Sequence, residues 1–392
     1  MSVVPGIEVL CGREAGLVRG ARVGLIAHPA SVTRRLAHAA EALATAGARV
    51  VRLFAPEHGS GGGHQDMIAV DERRDALTGL PVVSLYGESE ASLAPSDAAL
   101  AGLDVLVADL ADVGARYYTF YATIVRAIEA AARAGLRVVV CDRPNPLGGV
   151  LIEGNIVAPA YRSFVGELPV PNRHGMTVGE LCRFAVAERG LAAELAVVPC
   201  AGWSRADWWG ETGLPWVLPS PNMPTLETAT VYPGMCLVEG TNLSEGRGTT
   251  RPFELAGAPW LDGPALAAQL ARWELPGVLF RPVRFLPAFQ KHAGTECQGV
   301  QLHVTDRLAF RPVRTGIAFL AAARAQDPGR FRWREEPYEF VADRPAIDLL
   351  AGGPGWREAI ETGVEPSVIA GSWAADEATF ARLRQPSLLY RS

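Results

Sequence analysis

The chain has 392 residues, 49% of them hydrophobic and 20% charged, with a formal net charge of -5. Such a length exceeds one ordinary hydrophobic core and points to two domains, and the composition is that of a folded globular protein. Mild acidity leaves no electrostatic footprint for nucleic acid, and no apolar run is long enough to predict a membrane span.

Six cysteines (Cys11, Cys141, Cys182, Cys200, Cys236, Cys297) lack C-x-x-C spacing, so neither a zinc site nor a disulfide framework is signalled. The opening M-S-V-V-P-G-I-E-V-L has no basic segment followed by a long apolar one. The sequence as written therefore predicts a cytoplasmic protein, with an extracellular or periplasmic location as the alternative. Lys291 is the only lysine, which confines any lysine-based chemistry to that position.

From Ala21, A-R-V-G-L-I-A-H reads as a strand, and Arg34 to Gly47 as an alanine-rich helix closed by glycine. Further strands are expected over Ala48 to Phe54, Pro81 to Tyr86, Leu103 to Asp109 and Leu136 to Cys141, with a helix from Phe120 to Arg133 before the last. Apolar strands separated by helices imply crossover connections and a mostly parallel, doubly wound α/β sheet. Thr177 and Glu180 fit a capping box opening a helix to Ala187, and Ala193 to Val198 reads as another strand. Trp203, Trp208, Trp209 and Trp216 are irregularly spaced, a pattern of packing more than of a sugar platform. S-P-N-M-P at Ser220 to Pro224 is a rigid turn.

After Trp260 the texture changes. Helices are expected over Ala265 to Trp273 and Arg314 to Arg324, and strands over Gly277 to Phe285, with a proline break, and Gly299 to Val304. The remainder reads as mostly helical, punctuated by Gly352 to Gly355. The expected division is a large domain over residues 1–254 and a smaller α/β domain over 255–392.

Ligands of doubly wound sheets bind beyond the carboxyl ends of the strands. The segments there are A-P-E-H-G (Ala55 to Gly59), A-D-V-G-A-R-Y-Y-T (Ala111 to Thr119) and D-R-P-N-P (Asp142 to Pro146), carrying Glu57, His58, Asp112, Arg116, Tyr118 and Asn145. Turn chemistry alone explains each segment, but not so easily all three together. Glu239 to Glu254, E-G-T-N-L-S-E-G-R-G-T-T-R-P-F-E, adds three carboxylates, two arginines, four hydroxyls and an amide without helical or strand periodicity. Apolar flanks anchor it on both sides, as expected of a polar loop that holds a site.

Several chemistries fall away. Gly59 to Gly63 does not complete a dinucleotide fingerprint, G-R-G-T-T at Gly246 to Thr250 lacks the phosphate-loop lysine, and no G-x-S-x-G elbow exists. His58 and His64 with Asp66 supply metal-ligand types but match no metal motif, so no metal and no cofactor are expected. Carboxylates with hydroxyls, amides, arginines and aromatics are the vocabulary of glycoside hydrolysis, which needs a carboxylic acid for the leaving oxygen and usually a second carboxylate.

These motifs, together with R-H-G-M-T-V-G-E, S-P-N-M-P-T-L-E-T, Q-G-V-Q-L-H-V-T-D and the terminal P-S-L-L-Y, resemble the bacterial exo-β-N-acetylmuramidase family across nearly the whole chain. The resemblance implies a Rossmann-like domain plus a smaller one. Between them it implies a cleft that removes N-acetylmuramic acid from the non-reducing end of peptidoglycan fragments, either muropeptides or a disaccharide. Ala111 and the S-G-G-G-H after A-P-E-H-G depart from the family's usual residues and bear on substrate preference. The alternatives are a non-catalytic sugar-binding protein and a metal-dependent hydrolase using His58, His64 and Asp112.

Glu57 and Glu239 each follow an apolar run and are expected to be the catalytic pair, with Glu57 the acid because a general acid needs apolar surroundings. The substrate-binding set is His58, Asp112, Arg116, Tyr118, Asn145, His174, Asn222, Asn242, Glu245, Arg247 and Arg251. An arginine fork is the expected reader of the lactyl carboxylate of muramic acid. Arg116, Arg247 and Arg251 are the candidates, with Arg247 first because glycines flank it.

Overall fold

A computed structural model describes residues 2–63, 65, 67–68 and 74–391, so His64 and Asp66 lie outside the described residues. Six parallel strands form the first sheet: β1 (Arg22–Ala27), β2 (Arg49–Ala55), β3 (Val82–Ser84), β4 (Val105–Asp109), β5 (Arg137–Cys141) and β6 (Leu195–Val198). Their order is β3-β2-β1-β4-β5-β6. The chain winds outward one way from β1 and the other way from β4, so a crevice opens beyond the carboxyl ends of these two central strands. Every residue of β4 is buried, as a Val/Leu/Ala-rich strand covered on both faces must be. The helix Phe120–Arg133 lies where its periodicity placed it, and the Thr177–Glu180 capping box opens the helix Val178–Arg189.

The expected helix over Arg34 to Gly47 is shorter, spanning only Ala39–Thr45. Leu36 is left-handed, Val32 bridges His38, and the His38 ring accepts from Ala40 N as the cap. A turn therefore precedes the helix, and alanine content alone does not show where such a turn ends. The tryptophans pack: Trp203 meets Tyr390 at 4.8 Å, and Trp209 meets Trp216 at 5.3 Å.

The second sheet is antiparallel, with β7 (Leu255–Ala258), β8 (Val278–Phe285) and β9 (Cys297–Val304) in the order β7-β9-β8. Pro282 does not break β8, since it pairs in register with Val300. As an edge strand, β8 can turn the missing N–H outward without losing a ladder bond. Residues 327–345 carry no helix, and the expected helical remainder begins at Ala346.

The helix Leu226–Met235 leads directly into the polar stretch at Glu239, and it crosses the helix Pro312–Gln326 in backbone contact. A Cβ on Gly234 would lie 1.8 Å from the Pro312 carbonyl oxygen, and one on Gly316 would lie 2.2 Å from that of Gly234. Only glycine permits this approach. Among the described residues, no helix is long and apolar enough to cross a membrane.

Candidate active site

Glu57 stands two residues beyond β2, buried, and lines a cavity together with His58, Tyr118, Thr119 and Phe120. Thr119 Oγ1 donates to its Oε2 at 2.9 Å, and Met67 N donates to Oε1 at 3.1 Å. His58 has φ +74°, a conformation uncommon outside glycine. Tyr118 packs on Phe120 at 4.9 Å and on Tyr232 at 5.9 Å.

Another part of the lining comes from the polar stretch, which starts as a short 3-10 turn over Cys236–Gly240. Glu239 is buried there, with Arg247 Nη2 donating to Oε1 at 2.6 Å and Tyr338 Oη donating to Oε2 at 2.8 Å. Burial by itself would raise its pKa. The charge and hydrogen bond of Arg247, helped by Tyr338 and Lys291, outweigh burial and hold the carboxyl below the usual range. Glu245 sits behind it, 3.3 Å from Arg247 Nε and 2.9 Å from Lys291 Nζ. Lys291 also donates to the carbonyls of Val238 and Glu239. The Arg247 guanidinium lies 5.1 Å from the Phe253 ring centre.

Of the other expected contacts, Asn222 lines the cavity and donates to Gln65 Oε1 at 2.8 Å. Arg116 does not reach it. This side chain is fully buried and donates to the carbonyls of Asn155, Val170 and Leu350, as an internal strut. Asn145 ties Met176 O to Leu147 N, and Asn242 ties Arg330 O to Arg332 N, so both amides brace backbone. Arg251 is half exposed in an outer groove and pairs with Glu254 at 3.1 Å.

Asp112 and His174 form a buried couple at the carboxyl end of β4. Gly114 N donates to Asp112 Oδ1 at 2.6 Å, and burial pushes the Asp112 pKa up to about 7 against that bond. Burial, with the charges of Arg384 and Arg116, pulls His174 down to about 3. His174 Nδ1 accepts from Met176 N, which places the proton on Nε2, 3.8 Å from Asp112 Oδ1. Asp112 Oδ2 and His174 Nε2 are buried without a hydrogen-bond partner.

Sequence reasoning missed Tyr338, Glu339, Tyr232, Phe253 and Ser220, all of which line the cavity. The available signal was E-E-P-Y-E-F-V at Glu335 to Val341, a proline-containing run of acids and aromatics with no helical period. Among the described residues, no three His, Cys, Asp or Glu side chains gather as a metal site.

Carboxylates, hydroxyls and aromatic rings brought together at the switch point of a doubly wound sheet, and closed over by segments after Leu226, are the equipment of a carbohydrate-cleaving enzyme. Comparison with known proteins makes the assignment specific. Residues 23–227 match the family model described as exo-beta-N-acetylmuramidase NamZ, N-terminal, and residues 230–390 match its C-terminal counterpart. The chain therefore belongs to the exo-β-N-acetylmuramidase NamZ family. It is 43% identical over 390 residues to the peptidoglycan beta-N-acetylmuramidase NamZ of Bacillus subtilis, covering 99% of this chain and 91% of that protein. Two crystal structures of DUF1343 family proteins from Bacteroides fragilis share the fold over all of both chains. Their TM-scores are 0.88 and 0.79, at 34% and 29% identity.

Proposed function

We infer that the chain is an exo-acting glycoside hydrolase that releases N-acetylmuramic acid from the non-reducing end of peptidoglycan fragments. The observation that carries this reading is the meeting of Glu57 and Glu239 on one cavity, within a chain that matches the family from end to end. Arg247 holds Glu239 ionised, which suits it to stabilise positive charge or act as base or nucleophile and unsuits it to protonate a leaving oxygen. Glu57 is the proposed acid. Thr119 Oγ1 can donate to Glu57 Oε2 or accept from it, so the same contact serves both protonation states.

Of the three arginines weighed as readers of the lactyl carboxylate, Arg247 alone lines the cavity. In this reading its guanidinium serves both Glu239 and the substrate. Muropeptides and the muramic-acid-containing disaccharide are the proposed substrates. Incubation with a chromogenic β-N-acetylmuramide and the matching glucosaminide tests the reading. Hydrolysis of the muramide is expected, and release from the glucosaminide alone overturns it. Saturable muropeptide binding without turnover would instead favour a binding protein.

A further inference from the structure

A third carboxylate reaches the cavity from a stretch far from the other two. Glu339 is buried and lines the same space as Glu57 and Glu239. It sits at the tip of a tight hairpin, in which Tyr338 N donates to Val341 O at 2.9 Å and Val341 N donates to Tyr338 O at 3.0 Å. Both central residues are left-handed, Glu339 at φ +46° and Phe340 at φ +69°. Two-residue turns of this kind select Asn and Gly, because other side chains are strained there. A glutamate followed by a phenylalanine is a costly choice for a plain turn.

Tyr86, just beyond β3, holds the turn in place from the other lobe. Its ring packs edge-on against Phe340 at 5.4 Å, and its hydroxyl donates to Glu339 Oε2 at 2.9 Å. Strain of this sort persists where the surroundings over-determine it, and it clusters at ligand clamps. The same turn sends Tyr338 to Glu239. One hairpin thus aims two consecutive side chains into the site.

We propose that Glu339 is the specificity residue that reads the free 4-hydroxyl of the terminal N-acetylmuramic residue, and so makes cleavage exo-acting. The proposal rests on the functional reading above. Muramic acid carries its lactyl ether on O3, leaving the 4- and 6-hydroxyls as donors. At an internal position of a glycan strand, O4 is the glycosidic oxygen and has no hydrogen to give. An ionised carboxylate accepts hydrogen bonds and cannot donate them, so it welcomes a hydroxyl and rejects an ether at the same point. Sites built to bond a substrate hydroxyl discriminate strongly against analogues that lack it.

The test compares kcat/KM for a chromogenic muramide and its 4-O-methyl ether. The wild type is expected to prefer the free hydroxyl by at least about 100-fold. Glu339→Gln keeps the shape and an acceptor for Tyr86 while adding a donor, and is expected to erode that preference about 10-fold or more, chiefly through KM. An unchanged preference in this variant overturns the proposal. So does a loss confined to kcat on the free-hydroxyl substrate, which would make Glu339 part of the chemistry. Should Glu339→Gln fail to fold, Tyr86→Phe, which removes the orienting bond, must erode the preference in the same direction, and no change overturns the proposal. A wild type inactive on the muramide removes the functional reading together with this inference, whereas one that cleaves both substrates alike removes the inference alone.

Discussion

Arg247 and Glu239 are joined at 2.6 Å with both side chains almost wholly buried, so neither charge has water to fall back on. Arg247→Ala would leave Glu239 with Tyr338 as its remaining strong donor. Breaking a buried pair from one side typically costs about 3–5 kcal/mol. We expect a loss of that order in urea unfolding, together with severe loss of turnover. The pH dependence has a definite sign. Because the Glu239 pKa is lowered on folding, its contribution is fully present above its ordinary value of 4.5 and is lost as pH falls through the lower folded value. The stability gap between wild type and Glu239→Gln should therefore narrow in acid, and a gap independent of pH would contradict the ion pair.

Glu57→Gln should lower turnover on the muramide by about 100-fold or more while leaving the melting temperature close to that of the wild type. If Glu57 served only to bind the Met67 and Thr119 donors, the substitution would cost on the order of 1 kcal/mol of stability and leave turnover largely intact. Thermal melting and steady-state kinetics on one preparation decide between the two.

Asp112 carries the opposite pH signature. Burial raises its pKa from 3.8 to about 7, so between those values the native state binds more protons than the unfolded chain, and stability falls as pH rises. The full effect is on the order of 4 kcal/mol once pH exceeds both values. Asp112→Asn keeps the acceptor for Gly114 N and has no proton to lose. We expect it to match the wild type near pH 4 and to be more stable at pH 8. Other buried carboxyls such as Glu153 and Asp142 titrate in both proteins and cancel from the comparison.

Gly234→Ala tests the crossing that seats Glu239. The added carbon would have to occupy space 1.8 Å from the Pro312 carbonyl oxygen, which is backbone and cannot swing aside. Overpacking generally costs about 1–3 kcal/mol and exceeds that where backbone is the obstacle. The helix Leu226–Met235 should shift with its partner, so activity should fall along with stability. A variant that melts like the wild type would show that the two helices separate easily.

The parallel sheet was legible because apolar strands, glycine-terminated helices and a capping box each leave local marks, and the place of Glu57 in the cavity lining was legible because it follows such a strand. Arg116 shows what a residue type cannot convey. It lies in a polar segment at the correct edge of the sheet, yet its guanidinium turns inward to three backbone carbonyls, a choice set by Asn155, Val170 and Leu350. Glu339 was missed for a related reason. Its placement depends on Tyr86, 253 positions away, and on a backbone conformation that its own side chain disfavours. Non-local contacts that override local preference leave little trace in a single sequence.

Lys291, braced against Glu245 and the carbonyl of Glu239, is the only side-chain amine in the whole protein. An amine-directed fluorophore or spin label therefore has a single side-chain address, and it lies directly behind the cavity wall. The unmodified sequence already contains a reporter position for substrate entry, and acylation there would strip Glu245 of one of its two positive partners, leaving Arg247, without any change to the gene.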